Sequence, residues 1–185
     1  YTDANGQFEV TFVPERNPDI SGNQIYQYDI QVSVTDVKGE TQIGKQQIGI
    51  GDQSLFIACN HSDGLQIKKS PKYPFVVQAV TINGEIKMVD IDYKVYRLTM
   101  DGFLDDYENK AREKARTLVL SGSHSSKNDT LFMDLDLLKS GYYNIIYSTL
   151  DKKGKEVTLS KNFILFDPKD TKLPVPMFVW LNNER

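Results

Sequence analysis

The sequence predicts an all-β protein of antiparallel β-sandwiches arranged in tandem. Three observations lead there. One hairpin-forming pattern occurs twice at a fixed spacing. Apolar and polar residues alternate with a period of two through much of the chain. Turn residues punctuate it at short intervals.

The repeat is the most informative of the three. Asp36 to Asp52 reads DVKGETQIGKQQIGIGD, and Asp151 to Asp167 reads DKKGKEVTLSKNFILFD. With one offset and no gap, Tyr28 matches Tyr143, Ile30 matches Ile145 and Ser33 matches Ser148. Asp36, Lys38, Gly39 and Asp52 match Asp151, Lys153, Gly154 and Asp167. Upstream of the first copy, Tyr26, Tyr28, Ile30, Val32 and Val34 alternate with Gln27, Asp29, Gln31, Ser33 and Thr35, so one face is apolar and the other wet. The D-x-K-G step then supplies a tight turn whose Gly can take positive φ. An isolated hairpin is marginal in water, so each copy is expected to belong to a larger sheet, and two copies imply two domains.

The remaining elements follow in order. Asp3 to Gly6 reads as a turn, and Phe8, Val10 and Phe12 as one face of a strand. Pro14 to Asn23 is a loop by composition. In the return strand of the first hairpin Ile43 and Ile48 differ in parity, which predicts a bulge near Gly44. A second domain starts at SLFIACN. Ile82-Asn83-Gly84-Glu85 is a hairpin turn, and Val89, Ile91, Tyr93 and Val95 face opposite to Asp90, Asp92 and Lys94. TLVLSG, TLFMDLDL, GYYNIIYSTL and EVTLSKNFILF add four strands, bringing the second domain to about seven. One segment departs from the pattern. Phe103, Tyr107, Ala111, Ala115 and Leu118 recur at spacings of three and four, and Asp101 can cap the run, so a short helix inserted near 103–117 is expected. The predicted units are therefore 1–52, a partial sandwich cut short at its N-terminal side; 53–168, a sandwich with the helical insertion; and 169–185, a proline-rich linker leading to FVW, the start of a further domain.

Composition narrows the function. The chain has 185 residues, a net charge of −3 and a pI near 5.4, which gives no basic face for nucleic acid. A single cysteine, Cys59, excludes an internal disulfide framework. No apolar run approaches the roughly 20 residues that span a bilayer, so no membrane insertion by these residues is expected. The opening at Tyr1, with no charged leader or lipidation motif, reads as a cut.

No residue is expected to be catalytic, to bind a cofactor or to ligate a metal. Cys59 precedes Asn60 and His61, but neighbours on a strand point to opposite faces, and a small buried apolar role fits Cys59 better than a nucleophile. His61 and His124 both lie in turn-like stretches without a third ligand at zinc spacing. The pairs Asp90/Asp92 and Asp134/Asp136 could bind calcium or serve as acid and base; the wet face of an amphipathic strand is the simpler reading. Ser121 to Ser126 is a polar loop without a nucleophile-elbow motif. Asn60-His-Ser and Asn128-Asp-Thr match the glycosylation sequon. The mixed charges Lys110, Arg112, Lys114 and Arg116 against Asp105, Asp106, Glu108 and Glu113 could dock a partner, or simply be a solvated face.

The phrases TDANGQFEVTF, YQYDIQVSVTDVKGETQIGKQQIGIG and SGYYNIIYSTLDKKGKEVTLSKNFILFDP, with KLPVPMFVW after them, resemble macroglobulin-type domains of bacterial alpha-2-macroglobulin family proteins, in the long form of Bacteroides and its relatives. Val34 to Thr41 is the most specific element. The resemblance implies tandem immunoglobulin-like sandwiches in a broad-range protease trap of the cell envelope, periplasmic or surface-exposed and lipid-anchored through a missing N-terminus. Its partners would be neighbouring macroglobulin-type domains and, through the full-length protein, host or competitor proteases. The chain departs from the family's active parts: it has no C-x-E-Q thioester run and no bait-like stretch, so these domains would be scaffold. The competing expectations are an extracellular immunoglobulin-like binding module, for adhesion or glycan capture, and an accessory domain of a larger envelope enzyme.

Overall fold

The computed structural model describes residues 3–15, 17–19, 25–104 and 112–177, and its chain divides into two compact units, Tyr1–Gln53 and Ser54–Arg185.

Unit 1 is built on one hairpin, β1 (Ile25–Thr35) with β2 (Thr41–Gly51). Its turn is closed by a single carboxylate. Asp36 Oδ1 accepts the amides of Lys38 (2.8 Å) and Glu40 (2.9 Å), while the Gly39 amide donates to the Asp36 carbonyl at 3.1 Å. Gly39 has φ +87°, which an L side chain rarely adopts. Tyr26, Tyr28, Ile30 and Val32 are half-buried and the residues between them are exposed. Phe12 lies against Tyr28 with ring centroids 5.1 Å apart, and the Tyr26 hydroxyl accepts the Asn17 amide.

Two expectations are corrected in unit 1. The ladder has no bulge near Gly44: pairing runs unbroken from Ile25↔Gly51 to Thr35↔Thr41. Ile43 differs in parity because it faces the wet side, 60% exposed, while Gly44 stands opposite Val32. Phe8 to Phe12 is not a strand either, because nothing among the described residues pairs with it, and Phe8, Val10 and Phe12 are exposed. The Asp3 turn does form, with the amides of Asn5 and Gln7 both on Asp3 Oδ1 at 2.8 Å.

Unit 2 packs two sheets into a β-sandwich. One runs in the order β4 (Leu65–Lys68), β11 (Glu156–Phe166), β10 (Gly141–Leu150), β7 (Asp90–Asp101), β8 (Arg112–Ser125). The other is organised around β5 (Tyr73–Thr81), which pairs with β3 (Leu55–Cys59), β6 (Ile86–Lys87) and β9 (Thr130–Met133). Phe75, Val77 and Ala79 from the second sheet meet Ile91, Val95, Tyr143, Ile145, Tyr147 and Phe163 from the first, each 0–1% exposed. Each such aliphatic or aromatic side chain contributes about 1.5–3 kcal/mol by leaving water. Tyr143 stacks on Phe163 at 5.3 Å and 13°, and Phe75 tilts against the same ring at 6.1 Å.

The hairpin of β10 and β11 repeats that of unit 1 in detail. Tyr143 pairs with Phe163 as Tyr28 pairs with Ile48, under the same offset. Asp151 Oδ1 accepts the amides of Lys153 (2.8 Å) and Lys155 (2.9 Å), and Gly154 has φ +75°. The antiparallel expectation fails at one place: β4 pairs parallel with β11, from Phe163↔Leu65 to Phe166↔Lys68.

The inserted helix is the largest correction. There is no helix among the described residues; Arg112 to Leu118 are the first half of β8, and 105–111 lie outside the described residues. Arg112, Lys114 and Arg116 alternate with Glu113, Ala115 and Thr117, which also satisfies a period of two. Pairing with β7, from Asp101↔Arg112 to Asp90↔Ser125, prevails over a narrow alanine stripe. Register shifts leave Lys114 and Val119 unopposed, and these bulges disguise the alternation. TLFMDLDL is a strand only over Thr130–Met133; from Asp134 it turns, with the Asp136 amide on Asp134 Oδ1 at 3.0 Å. After β11 the chain stays on the unit: Val175 is buried and the Pro176 carbonyl accepts the Leu104 amide at 3.0 Å. The FVW segment lies outside the described residues.

Replacing Gly154 with alanine keeps the space free but forces a side chain into the left-handed region. The expected loss is about 1–2 kcal/mol of unit 2 stability, measured by urea unfolding.

Candidate functional site

The residues singled out in the sequence are dispersed over unit 2, and only one group of them comes together. Cys59 ends β3, half-buried against the core, and its thiol donates to the main-chain carbonyl of His61 at 3.7 Å. His61 is not in an exposed turn: it is 5% exposed, with its ring edge-on to Phe75 at 5.3 Å and to Tyr147 at 6.4 Å. Neither ring nitrogen of His61, nor the buried Tyr147 hydroxyl, has a hydrogen-bond partner among the described residues. The cysteine bonds the histidine's backbone and not its ring, so the pair lacks the nucleophile–base contact of a thiol enzyme.

Electrostatics follows from burial. Desolvation lowers the His61 pKa, Lys161 lowers it further, and Asp63 opposes with a smaller effect. Burial raises Tyr147 far above its ordinary value, and Cys59 and Tyr93 add to it. Both groups are therefore held neutral at physiological pH. Asp63 itself is a fastener: its Oδ1 accepts the Asn162 amide at 2.6 Å and fixes the β3–β4 loop to β11.

Asp90 and Asp92 share the exposed face of β7, beside an open hollow of about 590 Å3 that Glu156, Ser148 and Thr149 also line. Asp134 and Asp136 do not share a strand face, because the chain turns between them. Among the described residues no three His, Cys, Asp or Glu side chains gather closely enough to hold a metal ion. Ser121 to Ser125 belong to β8, not a loop, and His124 there pairs with Ile91 and bonds the Asn128 carbonyl at 2.9 Å. Ser126, just after β8, latches onto the link from β6 to β7, donating to the Lys87 carbonyl (2.7 Å) and accepting the Val89 amide (2.8 Å). Asn60 uses its carboxamide oxygen to accept the Val76 amide at 3.2 Å. Of the mixed charges, Glu113 and Arg116 form a two-point ion pair at 2.6 Å on β8, with Arg116 over the Tyr96 ring. A cavity of about 330 Å3 opens at one end of unit 2, lined by Leu55, Thr81, Val89, Leu150, Asp151 and flanking residues.

One group was not singled out in advance. Tyr143, at the start of β10, sends its hydroxyl back to the Lys139 carbonyl four residues upstream. The available signal was a tyrosine two positions into a strand that follows Lys-Ser-Gly; its period-two position accounted only for the ring. Among the described residues, Ser126 and Thr149 use buried hydroxyls to fasten strands, whereas His61 and the Tyr147 hydroxyl lie unpaired in the core.

The chain matches no model of a known protein family, and comparison with curated proteins gives no significant match.

His61 yields a pH prediction. Its folded-state pKa lies below the ordinary 6.5, so the unfolded chain binds the proton more readily. Stability is full above that value and declines as pH falls below it, by at most about 1.4 kcal/mol per pH unit. His61→Leu should flatten this decline between pH 7 and 5, with melting temperature as the readout.

Proposed function

We propose that this chain supplies immunoglobulin-like scaffold domains, without covalent chemistry of their own, to an alpha-2-macroglobulin-type protease trap of the bacterial envelope. The single observation that carries the reading is the hairpin used twice, in one register, at an offset of 115 positions from Tyr28 to Tyr143. Such duplication is what a string of related sandwich modules predicts.

Two features of unit 2 support the immunoglobulin-like part. One sheet in the order β4-β11-β10-β7-β8, against a second in which β5 pairs with β3, β6 and β9, with β4 parallel to the last strand, is compatible with the two-sheet arrangement of that fold. The Tyr143 hydroxyl on the Lys139 carbonyl resembles the tyrosine corner of such domains, in which a tyrosine near the start of a strand bonds the backbone a few residues upstream. Ile145, two residues on, stands in the core where many members carry a disulfide cysteine. In this reading unit 1 contributes a second hairpin of the same kind, β1 with β2.

Tyr143→Phe should leave the stacking on Phe163 intact and remove the corner bond. A loss of about 0.5–1.5 kcal/mol in urea unfolding is expected; no change would argue against the corner. The functional reading is tested on the protein that carries this chain, incubated with a general endopeptidase. Cleavage at one interior position outside unit 2 is expected, after which the retained protease still cuts small peptides but not large proteins. Digestion throughout, or a protease left active on large substrates, would rule the trap out.

A further inference from the structure

Residues Asn60 to Gly64 cross from the second sheet of unit 2 to the first, as the link from β3 to β4. Each end of the link is tied down. Asn60 donates its amide to the Val76 carbonyl at 3.1 Å and accepts the Val76 amide on its carboxamide oxygen. Gly64 donates its amide to the Asn162 carbonyl at 2.8 Å, and Asp63 accepts the Asn162 amide at 2.6 Å. Between these ties the His61 ring turns inward, against Phe75 of one sheet and Tyr147 of the other.

Packing alone holds that ring. Both of its nitrogens, and the Tyr147 hydroxyl beside it, lack a partner among the described residues. A neutral imidazole tolerates such a place at a modest cost, but an imidazolium does not, because a buried charge needs a counter-charge or hydrogen bonds. The surroundings supply neither in full. Phe75 on β5 brings no polar atom to the ring. Tyr147 on β10 stays neutral, and Cys59 on β3 and Tyr93 on β7 are titratable groups that act on its hydroxyl. On β11, Lys161 is half-buried opposite Ile145, on the core-facing side of the strand, and repels a cation at His61. Asp63, in the link itself, attracts one, but its effect is the smallest of those acting on the ring, and its Oδ1 already holds the Asn162 amide.

We propose that Asn60–Gly64 is an acid-opened latch: protonation of His61 drives its ring out from between the sheets and frees the link, while β4 stays paired with β11. Water then serves the imidazolium and reaches the Tyr147 hydroxyl, which offsets part of the lost ring packing. β4 has its own anchors, since Ile67 is 1% exposed and the Lys69 amide donates to the Phe166 carbonyl at 2.9 Å. An exposed histidine titrates near 6.5 and the enclosed one lower. Closure is therefore fully favoured above that value, and the closed-to-open ratio drops by up to about tenfold for each pH unit below it. The opening is local, because neither sheet has to separate. It does not depend on the protease-trap reading, and either can fail without the other.

Amide exchange of the 185-residue chain at pH 7 and pH 5, expressed as protection relative to the unstructured rate, tests the latch. Protection at Asn60, Gly64 and Asn162 should fall by about tenfold, and by no more than roughly 25-fold, the limit for a group that titrates near 6.5 when exposed. Protection of Lys69, and of the amides that pair β7 with β10, should not change. His61→Leu should abolish the fall. If that variant does not fold, Lys161→Met carries the test: without the ammonium the charged ring is better tolerated inside, and the fall should shrink by about twofold or more. Unchanged protection at Asn60, Gly64 and Asn162 would overturn the latch. So would an equal fall along the β7–β10 ladder, or a fall undiminished in His61→Leu or Lys161→Met.

Discussion

One aspartate oxygen that gathers two main-chain amides is the constraint from which this chain's architecture unfolds. Asp36 and Asp151 each hold the second and fourth residues after themselves, and a glycine at positive φ completes the reversal. Asp3 does the same at the head of the chain, and before Gly84 the Thr81 hydroxyl accepts the amide of Glu85, the fourth residue on. A turn closed this way leaves the flanking strands no freedom of register. Register then decides which side chains share a face, and the face decides what is buried. Tyr143, Ile145 and Tyr147 lie in the core because Asp151 fixes where β10 ends and β11 begins. Hydrogen bonding to the backbone also keeps the Asp151 carboxyl below its usual range, so the turn retains its charged cap in mild acid.

What the residues disclosed in advance was local. The two hairpins, the Asn83-Gly84 turn and the alternation from Ile91 to Val95 depend on neighbours in sequence, and each was legible. What stayed hidden was non-local. β4 is four residues whose strand character comes from lying beside β11, almost a hundred positions away. The helical spacing from Phe103 to Leu118 was real as a pattern, but β7 offered Arg112 to Leu118 a ladder, and two bulges masked the period of two. Ile43 suggested a bulge because its exposure could not be seen from the sequence. Among the candidate residues, Cys59 and Asp90/Asp92 were placed sensibly by strand parity. His61 was not, because only packing against Phe75 and Tyr147 draws it inward.

The polar groups inside unit 2 divide into two kinds. Asn144 is buried and engaged, with its amide nitrogen within hydrogen-bond distance of the Ser160 hydroxyl, the Lys161 carbonyl and the Asn162 carboxamide oxygen. Thr149 ties β10 to the Asp90 carbonyl at 2.7 Å, and Ser126, just after β8, ties that strand to the Lys87 carbonyl of β6. These fasten strand to strand and specify one arrangement. His61 and the Tyr147 hydroxyl are instead held in apolar surroundings at a cost in stability. Close packing of the surrounding rings, Phe75, Tyr143 and Phe163, offsets that cost.

The parallel pairing of β4 with β11 carries a mechanical consequence. β4 is entered from the N-terminal side of the unit and β11 is left toward the C-terminal side. Tension transmitted along the polypeptide therefore drags these two strands lengthwise past each other. All of their hydrogen bonds are strained together, unlike a hairpin, which peels open one rung at a time. A ribbon of four pairs, anchored by the buried Ile67, would thus resist such tension as a shear lock.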